Sequence, residues 1–246
     1  MGIDMEKMRS RRTALDNRNG SNREVFWRPQ DGETTIRIVP TPDGDPFKDY
    51  WFHYNLGNTP GFLSPKKNYG EDDALDNFVR KLYKEGTEES IKMAKSLSAR
   101  QRFFAPVVVR GEEDKGVRIW GFGKMAYEKL LNLVLNPEYG DITDSETGTD
   151  LVIRYGKPAG ASFPQTEITP RRRPSLLCED EAQCAEWLDT IPDLDSLFER
   201  KSPGDVETIL DEYLSGNVDD SPSDNVEKYK VESGDSVDKA FSELLS

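Results

Sequence analysis

The sequence predicts a mainly β protein with α additions, built on a five-stranded Greek-key barrel of the OB type; a β-sandwich fits the same strands. Three observations predict it. Short stretches rich in β-branched and aromatic residues recur between turn clusters such as TPDGDP (41–46). A helix-bearing stretch interrupts them after the first two. An amphipathic helix then precedes the last two strands.

Taken in order, residues 1–21 hold Lys7, Arg9, Arg11, Arg12 and Arg18 with little that is apolar, and read as a flexible basic arm. Thr34–Val39 is a strand stopped by Pro40, and Tyr50–Tyr54 is a second, aromatic one. Gly57–Gly70 reads as an irregular loop. A helix runs from Asp72 or Asp73 to Gly86, because Leu75, Phe78, Val79 and Leu82 recur at helical spacing. Another covers Glu88–Ser98. Arg100–Gly123 is a hairpin turning at Gly111–Gly116, and Lys124–Leu135 is the amphipathic helix. Leu151–Tyr155 and Gln165–Thr169 are the last strands. Helices follow at Glu179–Thr190, Leu194–Arg200 and Val206–Leu214. The organisation expected is an arm (1–21), a core (22–216) with an insertion at about 57–99 and C-terminal helices at about 179–216, and a disordered acidic tail (217–246).

The net charge of −13 is unevenly spread. Residues 175–246 carry 20 Asp+Glu against 5 Lys+Arg, whereas residues 1–174 are near neutral with local basic clusters. Such asymmetry points to a nucleic-acid surface paired with an acidic tail. No apolar run reaches the ~20 residues a bilayer needs, and the N-terminus has no signal-peptide core. Cys178 and Cys184 have no standard zinc spacing and read as reduced thiols, one in the core and one on the surface of one helix.

Catalytic chemistry finds little support. The chain has one histidine, His53, and no phosphate-cradling Gly-rich loop. A metal-dependent nuclease built on Asp43, Asp45, Asp72, Asp73 and Asp76 is one rival reading. An adaptor whose acidic rear mimics DNA is the other. Binding of single strands has more residues behind it, since it needs cations for phosphates and flat rings for bases. Arg37, Lys81, Lys84, Arg100, Arg102, Arg110, Arg118, Lys124, Arg171, Arg172 and Arg173 are the expected phosphate contacts. Phe103, Phe104 and Trp120 are the expected stacking rings, with Tyr69 and Tyr83 behind them. Adjacent strand residues face opposite ways, so Phe103 and Phe104 are not both expected in the core.

At the hairpin the sequence resembles the single-stranded DNA-binding, helix-destabilising proteins of T-even-type bacteriophages. The likeness rests on ordered anchors: Arg11-Arg12-Thr13, TTIRIVP (34–40), the His53 region, FVRKLYKEG (78–86), RQRFFAPVVVRGEEDKGVRIWGFGK (100–124) and DLDSLFERKS (193–202). They span about residues 8–216. The resemblance implies an OB-fold core that binds single strands without sequence preference, in the cytoplasm of an infected bacterial host. It implies an arm (Arg9, Arg11, Arg12, Thr13) that docks on a neighbouring protomer, making binding cooperative. It implies an acidic tail that recruits replication and recombination proteins and competes with DNA for basic surface.

The family's insertion carries a zinc held by one His and three Cys. Here the corresponding positions are His53, Ser64, Asp73 and Asp76, without one thiolate. Structural zinc depends on sulfur and imidazole ligands, so the metal is expected to be lost and no cofactor is expected. Packing of Leu63, Leu75, Phe78 and Leu82 is expected to hold the insertion instead.

Overall fold

The structure, a computed structural model, describes residues 25–57 and 59–215. The arm and tail expectations, including Arg9, Arg11, Arg12 and Thr13, lie outside the described residues. The strands are β1 (Phe26–Trp27), β2 (Gly32–Ile38), β3 (Lys48–His53), β4 (Phe62–Leu63), β5 (Arg100–Val109), β6 (Arg118–Phe122), β7 (Leu151–Gly156) and β8 (Gln165–Pro170). The helices are α1 (Pro65–Tyr69), α2 (Ala74–Glu85), α3 (Glu88–Leu97), α4 (Lys124–Val134), α5 (Glu181–Asp189), α6 (Leu194–Leu197) and α7 (Pro203–Leu214).

Most boundaries fall within a few residues of expectation, for local reasons. In α2, the Asp73 side chain caps the Asp76 N–H at the start, and Gly86 closes the end at φ 75°. In α7, Ser202 and Asp205 form a reciprocal capping box with Pro203 in the first turn. Three elements were not expected. Residues 57–70 hold β4 and α1 rather than an irregular loop. β1 pairs in parallel with β6, Trp27 opposite Trp120.

The strands form one mixed, mostly antiparallel eight-stranded sheet in the order β1-β6-β5-β2-β7-β8, with β3 joining β4 to β5. The long β5 is shared. Its Val107–Val109 end pairs with β2, and its Arg100–Phe104 end pairs with β3. A closed five-stranded barrel is not shown. The ladder path is open, and among the described residues no pairing returns β8 to β6. The protein is thus a mixed α/β structure built on an open sheet.

Both faces of that sheet are covered. One face carries Ile36, Ile38, Phe103, Val107, Trp120 and Phe122, beneath Ala126 and Leu130 of α4. The other carries Phe52, Phe104 and Ile119, beneath Phe26 and the α6 region with Leu194 and Phe198. Further along, Val108 packs under Leu177 and Trp187. The helical stretch after β4 has its own core, where Leu75, Val79 and Leu82 of α2 meet Ala94 and Leu97 of α3 and Val206 and Leu210 of α7. Phe78 is half-buried there. Leu63 packs instead against the sheet, with Phe52 and Phe104.

Cys178 and Cys184, expected as separate thiols on one helix, are joined as a disulfide with Cα atoms 5.7 Å apart. Cys178 lies in the segment ahead of α5 and Cys184 within it, so the chain turn at Asp180 brings them together. Among the described residues no helix is long and apolar enough to cross a membrane.

Candidate nucleic-acid interface

The residues nominated from sequence separate into two groups, and burial is what separates them. Phe103, Phe104 and Trp120 are core rings, exposed by 5%, 0% and 1%. They are corrected from base-stacking to packing residues. Alternation does send Phe103 and Phe104 to opposite faces, but each face is covered, so both are buried. Phe103 stacks on Tyr127 with centroids 4.0 Å apart, and Trp120 packs against Trp27 and Phe122.

Arg37, Arg102, Arg110 and Arg118 are likewise corrected. Arg37 is fully buried, and burial pushes its pKa below the usual arginine value against the opposing pull of Asp150. Its guanidinium donates to Asp150 Oδ1 (3.3 Å), Ser175 Oγ (3.1 Å), Ser175 O (2.8 Å) and Asp144 O (2.7 Å). Arg110 donates to Asp150 from Nη2 (2.9 Å) and Nε (3.2 Å), and to the carbonyls of Leu176 and Leu177 (both 2.7 Å). Arg118 is buried and donates to Glu112 at 2.5 Å. Arg102 is buried opposite Tyr50 in the ladder. Arg100 is half-buried, reaches Lys95 O at 3.5 Å, and has its pKa lowered by burial. The Arg37 and Arg110 guanidiniums, already spent on internal carboxylates and carbonyls, have no geometry left for a bidentate phosphate.

The second group is exposed. Lys81, Tyr83 and Lys84 lie on the outer surface of α2, and Lys124 begins α4 with Glu128 3.7 Å away. Tyr69 ends α1 with the Arg200 guanidinium 4.2 Å over its ring. Arg171, Arg172 and Arg173 are exposed on the segment after β8, and Arg171 donates to Thr35 Oγ1 at 3.1 Å.

Sequence reasoning missed Trp51. It lies half-exposed on β3, opposite Gln101, with the Lys67 ammonium 5.4 Å from its ring centroid. Asn68 fixes α1 against it, accepting from Trp51 N–H at 2.9 Å and donating to Trp51 O at 2.7 Å. Aromatic content marked β3 in the sequence, but the lysine is sixteen residues on, and folding alone sets it over the ring.

His53, Ser64 and Asp73 meet at one point, all fully buried. His53 Nε2 lies 3.0 Å from Asp73 Oδ2, and the Ser64 hydroxyl donates to the same oxygen at 2.7 Å. His53 Nδ1 lies 3.2 Å from Leu97 O, which can accept only, so that nitrogen carries hydrogen. Burial alone would raise the Asp73 pKa, but hydrogen bonds from His53 and Ser64, the charge of His53 and the Asp76 N–H together bring it down to about 2. The fourth position, Asp76, is partly exposed and pairs with Arg80. These residues do not fit a structural zinc. They supply one imidazole and no thiolate, and the Asp73 oxygen a metal would need is already taken by two donors. Among the described residues there is no group of three or more His, Cys, Asp or Glu able to hold a metal ion.

The carboxylates of the nuclease reading serve local roles. Asp43 pairs with Lys48, Asp45 caps the Phe47 N–H, and Asp72 accepts from Asn77. Between α2 and α7 lies a groove of about 430 Å³ whose lining includes Phe78, Leu210, Asp72, Lys81, Glu207 and Asp211.

No family model matches the chain, and no curated protein matches it in sequence.

Proposed function

We propose that the protein binds single-stranded DNA without sequence preference, and that it supports phage DNA replication, recombination and repair rather than catalysing a reaction. The observation that carries this reading is the meeting of His53, Ser64 and Asp73 at one buried point. The resemblance to the phage helix-destabilising proteins makes those positions, eleven and twenty residues from His53, converge around one centre.

Two further features support it. Five strands linked as β6-β5-β2-β7-β8, with α4 between the third and fourth in chain order, follow the connectivity of an OB fold. The surface also offers the two chemistries a single strand requires. Trp51 beside Lys67 supplies a ring and a cation, and Arg171–Arg173, Lys81, Lys84 and Lys124 supply further cations. Trp51 takes over the stacking role first given to the hairpin rings, and Tyr69 and Tyr83 keep theirs as exposed rings. Cooperativity through Arg9, Arg11, Arg12 and Thr13, partner recruitment through the acidic tail, work without a cofactor and residence in the cytoplasm of an infected host belong to the same proposal.

The test is titration with oligo(dT) of increasing length, following tryptophan fluorescence at several salt concentrations with blunt duplex as control. The reading expects single strands to bind well above duplex with a steep salt dependence. Absence of binding at low salt would sink it. The adaptor reading would then take precedence, favoured by the acidic rim of the α2–α7 groove.

A further inference from the structure

We infer that Asp150, with Arg37 and Arg110, forms a clasp that holds Arg171–Arg173 as a preset ridge for the DNA backbone; this inference rests on the single-strand-binding reading. Four residues separate the end of β8 at Pro170 from Ser175. Both ends of that segment are tied down. Arg171 N–H donates to Asp150 O at 2.8 Å. Ser175 N–H donates to Gly148 O at 3.0 Å, and Leu177 N–H to Ser145 O at 2.8 Å. The carbonyls of Ser175, Leu176 and Leu177, three in succession, are captured by Arg37 and Arg110.

Asp150 is the keystone. It is 6% exposed, and its carboxylate holds both guanidiniums, while its backbone carbonyl holds Arg171. Without that carboxylate the buried Arg37 and the part-buried Arg110 would face each other uncompensated, and Arg110 is already among the influences that lower the Arg37 pKa. The fit is close enough to demand glycine at 148. A Cβ there would stand 2.5 Å from Arg37 Nη2 and 2.5 Å from Asp144 O.

What the clasp presents is uncompensated charge. Elsewhere arginines at the surface are neutralised, Arg154 by Glu33 and Glu167, Arg200 by Glu71 and Arg80 by Asp76. Arg172 and Arg173 are exposed and make no hydrogen bond or ion pair with another described residue. Adjacent cations on a backbone fixed at both ends lose little conformational freedom on meeting phosphates, which is the benefit of preorganisation. Pro174 restricts the segment further. Asp150, Arg37 and Arg110 are positioning residues and touch no DNA.

The experiment is a double-mutant cycle on the full chain with oligo(dT), reading the slope of log affinity against log salt. Arg172→Ala with Arg173→Ala, both at exposed sites, should shallow the slope by about 1.4, at ~0.7 for each phosphate released. Arg110→Gln should shallow it in the wild-type background and do nothing further in the Arg172→Ala/Arg173→Ala background. Amide hydrogen exchange in Arg110→Gln should quicken at residues 171–177 while β5 stays protected, a readout that also checks folding. If Arg110→Gln unfolds the protein, Ser175→Ala, which removes one hydroxyl from the clasp, takes its place with the same expectations. Wild type that binds with a slope unmoved by the arginine pair would overturn the inference and leave the reading standing. Equal losses from the clasp variant in both backgrounds would also overturn it. Wild type that fails to bind would overturn the reading itself.

Discussion

Replacing Asp73 by Ala tests the buried knot most directly. The side chain accepts from Ser64 Oγ at 2.7 Å, lies 3.0 Å from His53 Nε2 and caps the Asp76 N–H at 3.1 Å. Its removal leaves His53 and Ser64, both fully buried, without the partner they share. Leaving a buried polar group without its partner costs about 1–3 kcal/mol, and here two groups lose one. Loss of a helix N-cap accounts for about 1 kcal/mol in comparable cases. Taking about 5 kcal/mol in total, and 2–4 °C of melting temperature per kcal/mol for a domain of this size, Tm should fall by roughly 10–20 °C. Urea unfolding followed by far-ultraviolet circular dichroism gives the free energy, and the unfolding slope checks that the denatured state is unchanged. A loss under about 1 kcal/mol would refute the reasoning, because it would mean that water or relaxation satisfies His53 and Ser64 as well as Asp73 does.

The same group sets an acid dependence. Its folded pKa, about 2, is below the ordinary carboxylate value of 3.8, so its contribution is complete above pH 4 and is lost as pH falls toward 2; a shift of this size corresponds to about 2 kcal/mol. Stability measured from pH 5 to pH 2 should show that loss, and Asp73→Asn should remove it. Trp120→Ala should destabilise the fold by about 3–5 kcal/mol, whereas Trp51→Ala should leave stability nearly unchanged and weaken oligo(dT) binding by ~1–3 kcal/mol; the reverse pattern would return the stacking role to the hairpin. Gly148→Ala should lower Tm more than Gly204→Ala, because a methyl group at 204 meets nothing closer than 3.9 Å whereas one at 148 meets Arg37 Nη2 and Asp144 O at 2.5 Å; equal shifts would mean the Arg37 network yields to a methyl group. Metal analysis after mild dialysis should find no stoichiometric zinc, and one zinc per chain would overturn the account of the knot.

Elements and their ends were legible in the sequence because their causes are local. The apolar spacing of Leu75, Val79 and Leu82, the cap at Asp73 and the stop at Gly86 lie within one stretch of chain and define α2 without reference to anything distant. The hairpin of β5 and β6 was legible for the same reason. The site was less so. Arg37 and Arg110 look like any surface arginine in the sequence. Their fate depends on Asp150 and on carbonyls at 144 and 175–177, and only tertiary contact brings these within 3.3 Å. Phe103 and Phe104 alternate as a strand should, and their neighbours in sequence suggest one exposed face. Whether a face is exposed depends on what lies over it, and here α4 covers one side and Phe26 with Phe198 the other. Hydrophobic period and capping act over a few residues, so the sequence by itself determined most of the elements, β1, β4 and α1 excepted; burial and charge pairing act between segments a hundred residues apart, so the tertiary structure alone decided which cations and rings remain on the surface.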